Sequence, residues 1–143
     1  MNIDQLIKEH DYLDALAAEL ESCLSLPSDA ASDAISIRAR FSAELATHLA
    51  GEDSAIYGRS AASNDNRLID EADQMQRELE ALRIDWFAYL SEWTDDVIEG
   101  DWETFGIETR VMMARLRTRI QRENACLLPL ALQRSVLRLK AAA

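Results

Sequence analysis

Four long stretches of this chain place apolar residues at helical spacing, and the last two echo the first two, so the chain must bury long helical stripes rather than alternating strands. In the first, Leu6, Ile7, Leu13, Ala17 and Leu20 recur until Pro27, where helix continuation is disfavoured; this predicts a helix over about residues 4–24. Ser28 or Ser32 can cap a second helix whose stripe reads Ile37, Phe41, Leu45, Leu49 and Ile56 and which closes near Gly58. Residues 59–66 read as a polar loop. A third helix follows from Leu68 through Met75, Leu79, Leu82, Trp86, Leu90 and Trp93. After a turn at Gly100 and Asp101, a fourth begins near Trp102 and turns Phe105, Met112, Leu116, Ile120 and Leu127 inward. A short basic amphipathic tail, Leu130 to Lys140, ends the pattern. Short loops between long helices favour antiparallel neighbours, so the expected architecture is all-α, an up-down-up-down four-helix bundle with a short C-terminal helix, forming one domain over residues 1–143.

The echo is specific. LIKEHDYLD (Leu6 to Asp14) matches LIDEADQMQ (Leu68 to Gln76) in Leu, Ile, Glu and Asp, and sets His10 against Ala72. HLAGEDSAIYG (His48 to Gly58) aligns with RIQRENACLLP (Arg119 to Pro129), setting His48 against Arg119 and Glu52 against Glu123. The first helix is thus repeated as the third and the second as the fourth.

Composition narrows the partners. The net charge of −11 repels phosphate backbones, so nucleic acid is not expected. An apolar content of 48% excludes disorder, while 4 Gly and 2 Pro give little turn chemistry for many strands. Cys23 and Cys126 lack metal-knuckle spacing and are expected as free buried thiols, which with the absence of a leader-like or membrane-spanning run predicts a cytoplasmic protein.

His48 and Glu52, four apart, share one helix face within about 6 Å at Cβ, close enough to reach one ion. His10 interrupts an apolar stripe early in its helix and His48 comes late in the next, so the antiparallel pair sets them level. The repeat adds Ala72, Arg119 and Glu123 to the same slab, at one end of the bundle. Trp86, Trp93 and Trp102 read as core packing at the far end, and Met112 and Met113 as gap fillers. Arg134, Arg138 and Lys140 give the tail a basic face on which a protein partner could dock.

The Glu9-His10 pair, the H-x-x-x-E of His48 to Glu52, the Leu-Leu-Pro ending at Pro129 and Gly100-Asp101-Trp102 opening the fourth helix together resemble the hemerythrin-like family of HHE cation-binding domains, over nearly the whole chain. The resemblance implies histidines from each half and one bridging carboxylate per half around two irons. Here the second half departs from it: Ala72 has no donor, and Arg119 brings a permanent cation in place of an imidazole. A di-iron centre is therefore not expected. Family positions map onto His10, His48, Glu52 and Glu123 as a set for one ion, iron, zinc or manganese, with Arg119 near the vacated second position. The alternative is a metal-free network in which Arg119 satisfies both glutamates and the bundle serves as an interaction or structural module. With no Ser-His-Asp set, phosphate loop or dinucleotide fingerprint, the chain reads as non-enzymatic, and the resemblance implies sensing or carriage through a bound metal.

Overall fold

The computed structural model describes residues 2–134, 136 and 137, and among these it contains helices and no strand. The helices are α1 (Ile3–Leu24), α2 (Ala31–Glu52), α3 (Arg59–Ala61), α4 (Asn66–Glu92), α5 (Asp95–Gly100), α6 (Trp102–Arg122) and α7 (Leu128–Gln133). The long helices α1, α2, α4 and α6 form the bundle. Cross-helix pairs fix their directions: Glu19 meets Arg40 while His10 meets His48, and Glu78 meets Arg122 while Asp85 meets Arg115. As one number rises its partner falls, so α1 runs antiparallel to α2 and α4 to α6. Arg83 to Asp53 and Arg117 to Glu21 close the ring between α2 and α4 and between α1 and α6.

Helix ends follow local chemistry. The side chains of Asn2, Asp65 and Asp101 accept from the backbone N–H of Gln5, Leu68 and Thr104, capping α1, α4 and α6. Neither expected serine caps α2: Ser28 opens a 3-10 turn, Ser28–Ala30, which runs straight into the helix. The helix does not close at Gly58 either. It widens into a π-helical segment, Asp53–Gly58, and continues through α3, so the expected loop starts three residues late.

The interior divides into two apolar clusters. One gathers Leu13, Leu20, Phe41, Leu45, Trp86, Trp93, Phe105 and Leu116; Met112 and Met113 fill it from α6. Trp102 is only part-buried, its indole N–H donating to the Leu26 carbonyl at 2.9 Å. The other cluster gathers Leu6, Ile56, Leu68, Ala72, Met75, Leu127 and Leu130. The polar slab lies between the clusters and not at an end of the bundle. It is covered because α6 passes through a second π-helical segment, Glu123–Leu127, into α7, and Leu130, Ala131, Val136 and Leu137 pack over the opening. The residues expected to form a free basic tail therefore begin as core. Arg134 pairs with Asp65 at 2.7 Å, and Arg138 and Lys140 lie outside the described residues.

Other expectations fail for geometric reasons. Ile7 is 39% exposed because Leu6 and His10 take the inward face of α1. Cys126 is exposed and Cys23 half-buried, so neither is a buried thiol. On α2, Arg38 occupies an inward position beside the part-buried Ile37. Its Nη2 donates to the Trp93 carbonyl at 2.8 Å, where α4 ends with unpaired carbonyls, and its guanidinium lies 5.5 Å and 5.6 Å from the Tyr89 and Phe105 ring centres. Replacing Arg38 with Met keeps the apolar stem and removes the donor, which should cost about 1.5 to 3 kcal/mol by urea denaturation. An unchanged midpoint would mean that this carbonyl has no need of Arg38.

Candidate metal centre

Three helices carry the centre. His10 points inward between Leu6 and Leu13 of α1, His48 and Glu52 end α2, and Glu123 opens the π-helical segment after α6. The two π-helical segments fall at echoed places in the repeat. Each lets consecutive residues face inward, Ile56 with Tyr57 and Leu127 with Leu128, although neighbours on a regular helix diverge. They stabilise the slab's underside while leaving Glu52 and Glu123 directed into it.

The structure brings His10, His48, Glu52 and Glu123 together, with one donor atom from each lying within 4.8 Å of all the others. All four are buried. His10 Nε2 stands 3.1 Å from His48 Nε2, 3.3 Å from Glu52 Oε1 and 3.2 Å from Glu123 Oε2; His48 Nε2 stands 2.5 Å from Glu52 Oε1. Each imidazole is held from behind: His10 Nδ1 lies 2.6 Å from Asn124 Oδ1, and His48 Nδ1 lies 3.0 Å from Glu9 Oε1. Since both partners are oxygen acceptors, both Nδ1 atoms donate and both Nε2 atoms face the centre. That orientation suits metal-ligating histidines.

Arg119 was expected to answer both glutamates, and its bonds are distributed otherwise. Nε donates to Glu123 Oε1 at 2.7 Å, Nη1 to the Met75 carbonyl and Nη2 to the Tyr57 hydroxyl. Tyr57 in turn donates to Glu123 Oε1 at 3.5 Å. Arg119 therefore neutralises one carboxylate and reaches across to α4 near Ala72, the donorless echo of His10. Among the described residues, Glu52 Oε2 and Glu123 Oε2 are buried with no hydrogen-bond partner.

Electrostatics follow from crowding. Burial lowers the His10 pKa, but the Glu123 and Glu52 carboxylates, 3.2 and 3.3 Å from Nε2, outweigh it and raise the value to about 10. His48 also shifts up: burial opposes, and Glu52 with Glu9 prevail. Burial favours a neutral Glu52, yet hydrogen bonding with Glu123, His10 and His48 holds its carboxyl well below the usual range. Glu123 is pushed up to about 7 by burial and by the charge of Glu52. Without a metal, a proton on His10 Nε2 supplies the positive charge among these acceptors. Two imidazole nitrogens and two carboxylates, each with one orphaned oxygen, form a donor set that fits a borderline divalent cation.

The sequence left four contributors unnamed as site residues. Glu9 and Asn124 orient the imidazoles, and each is adjacent in sequence to a site residue. Tyr57 and the Met75 carbonyl anchor Arg119; the π-helical turn that presents Tyr57 has no signature in residue spacing.

A family model for the hemerythrin HHE cation-binding domain matches residues 1–131. The chain belongs to that family. Comparisons with curated proteins and with solved structures find no match.

Arg119→Met should strand Glu123 and Tyr57 in the interior and cost about 3 to 5 kcal/mol in chemical denaturation; a wild-type midpoint would show that the arginine contributes nothing there. His10 also fixes a pH dependence. Because its folded pKa of about 10 exceeds the ordinary 6.5, its charged form stabilises the fold fully below about 6.5, and that contribution is lost as pH rises through about 10. Metal-free protein should therefore lose unfolding free energy between pH 7 and pH 10 more steeply than His10→Asn. Equal slopes would refute the assignment of the proton to His10.

Proposed function

We propose that this chain holds a single first-row divalent cation, iron, manganese or zinc, through His10, His48, Glu52 and Glu123, and uses it for sensing or carriage and not for catalysis. The observation that carries the reading is the convergence of both imidazole Nε2 atoms, Glu52 Oε1 and Glu123 Oε2 in one buried slab, where Glu52 Oε2 and Glu123 Oε2 have no hydrogen-bond partner. Donor atoms so placed repel one another unless a proton, as on His10 Nε2, or a metal cation stands among them. The family membership supports the same role. A bound ion would supply a Lewis-acidic centre.

The protein's own part is preparation. Asn124 and Glu9 hold the imidazoles in the Nδ1–H tautomer, so neither ring must turn to bind. Arg119 keeps Glu123 in place and stands beside Ala72, where the repeat offers no second donor, which limits the site to one ion. Among the described residues, no helix is long and apolar enough to cross a membrane.

A second reading rests on Arg119 and Tyr57, whose bonds to Glu123 stabilise the slab without metal: a bundle that has become an interaction module. Metal titration separates the two. Under the first reading, saturating Fe(II), Mn(II) or Zn(II) raises the melting temperature, because the ion binds the folded state. His10→Ala abolishes the rise. Binding displaces the His10 proton, so calorimetry in buffers of different ionisation enthalpy should register proton release, and affinity should increase from pH 6 towards pH 9. Melting curves unmoved by all three ions, with protein purified free of transition metal, would leave the metal-free module.

A further inference from the structure

The cation-site reading raises a question of access, since His10, His48, Glu52 and Glu123 are 0, 3, 0 and 2% exposed. On the α1 side, Glu9 and Asn124 bond the imidazole Nδ1 atoms. Two hollows reach side chains that are themselves bonded to Glu123, and they differ in charge. A groove of about 330 Å³ between α4 and α6 is lined by Arg115, Arg119 and Arg122 with Glu78. Its arginines oppose the approach of a cation. A narrower cavity of about 140 Å³ has exposed Asp70 and Asp73 at its rim and buried Ala72 and Tyr57 at its base.

This second cavity adjoins the broken position of the repeat. Ala72, the echo of His10, is among its lining residues, and its methyl group fills little of that space. Its volume admits a few waters, enough for an ion that retains part of its hydration. At the base, the Tyr57 hydroxyl accepts from Arg119 and donates to Glu123, so the tyrosine that lines the cavity, with Arg119 bonded behind it, reaches the ligand set directly.

We propose that the Ala72 cavity is the entry port for divalent cations, with Asp70 and Asp73 drawing them in and the Tyr57 hydroxyl as the inner gate. The proposal rests on the cation-site reading. Asp73 also pairs with Arg77, but both are exposed and such a pair binds weakly, so it yields to an arriving ion. Movement of the phenol off Glu123 Oε1 opens the last step towards Glu123 Oε2 and the imidazoles, while Arg119 keeps its bond to Oε1.

Stopped-flow absorbance of Co(II) uptake by the full metal-free chain tests this. Asp70→Asn with Asp73→Asn should slow association about tenfold and flatten its dependence on salt, which in wild type slows uptake. Ala72→Leu fills the cavity and should slow uptake further, while Co(II) bound per chain at saturation stays at the wild-type level in both variants. If Ala72→Leu does not fold, the rim variant alone decides. Wild-type rates and salt dependence in the rim variant, with any folded Ala72→Leu equally fast, overturn the port. A wild-type chain that takes up no Co(II) overturns the cation site and the port together.

Discussion

Two carboxylates, Glu52 and Glu123, are buried side by side, and each charge removed from water must be answered by positive charge within the same few ångströms. The fold is arranged around that requirement. His10 comes from α1, His48 from the end of α2 and Arg119 from α6, so three helices are locked in register by one electrostatic need. Apolar clusters above and below the slab exclude water from it, which strengthens each pairing and also makes any missing partner costly. The slab is thus the part of the protein most sensitive to substitution, and the part where a cation or a proton has the most to gain.

The same logic extends outward along α6. This helix carries five of the chain's 15 basic residues, Arg110, Arg115, Arg117, Arg119 and Arg122, in a protein of net charge −11. Arg115 meets Asp85 on α4, Arg122 meets Glu78 on α4, and Arg117 meets Glu21 on α1. Each of these partly exposed pairs contributes little alone. Together they place cationic side chains between two acidic neighbours and disfavour any topology that would set α1 against α4. Arg119 is the inward member of the series, and the only one of the five that reaches the buried glutamate.

Regular helices were legible from the chain because their signal is periodic. Stripes such as Leu79, Leu82 and Trp86 fix the inner face of a helix, and the His10–Ala72 and His48–Arg119 echoes fix which helices are equivalent. From these alone His10, His48, Glu52 and Glu123 fall at one level, and the structure places them there. What stayed hidden depends on departures from period. The π-helical segments shift the face by one residue, which hid Tyr57 and allowed α2 to run past Gly58. Arg38 was unreadable for another reason: a charged residue on an apolar stripe declares itself only when its partner, here the carbonyl ending α4, is known. Burial of the C-terminal residues likewise depends on an opening that only the assembled bundle has.

The broken symmetry of the repeat sets a pair of imidazoles in one half against a methyl group and a fixed cation in the other. Where the first half supplies His10 and His48, the second supplies a methyl group and a guanidinium, yet both halves keep their glutamate. Losing both second-half imidazoles while keeping Glu123 would have left a buried carboxylate without positive charge, and Arg119 answers that charge with a cation that cannot dissociate. A tethered cation costs no binding step and senses no concentration, whereas an ion held by His10, His48, Glu52 and Glu123, as proposed above, would come and go with its supply. Glu123 belongs to both arrangements: Oε1 is committed to Arg119 and Tyr57, while Oε2 faces His10 with no hydrogen bond of its own. Glu123 therefore joins a fixed charge on one oxygen to the histidine side of the slab on the other, and a proton or cation held there would be felt through it by Arg119, by Tyr57 and by the α4 backbone at Met75.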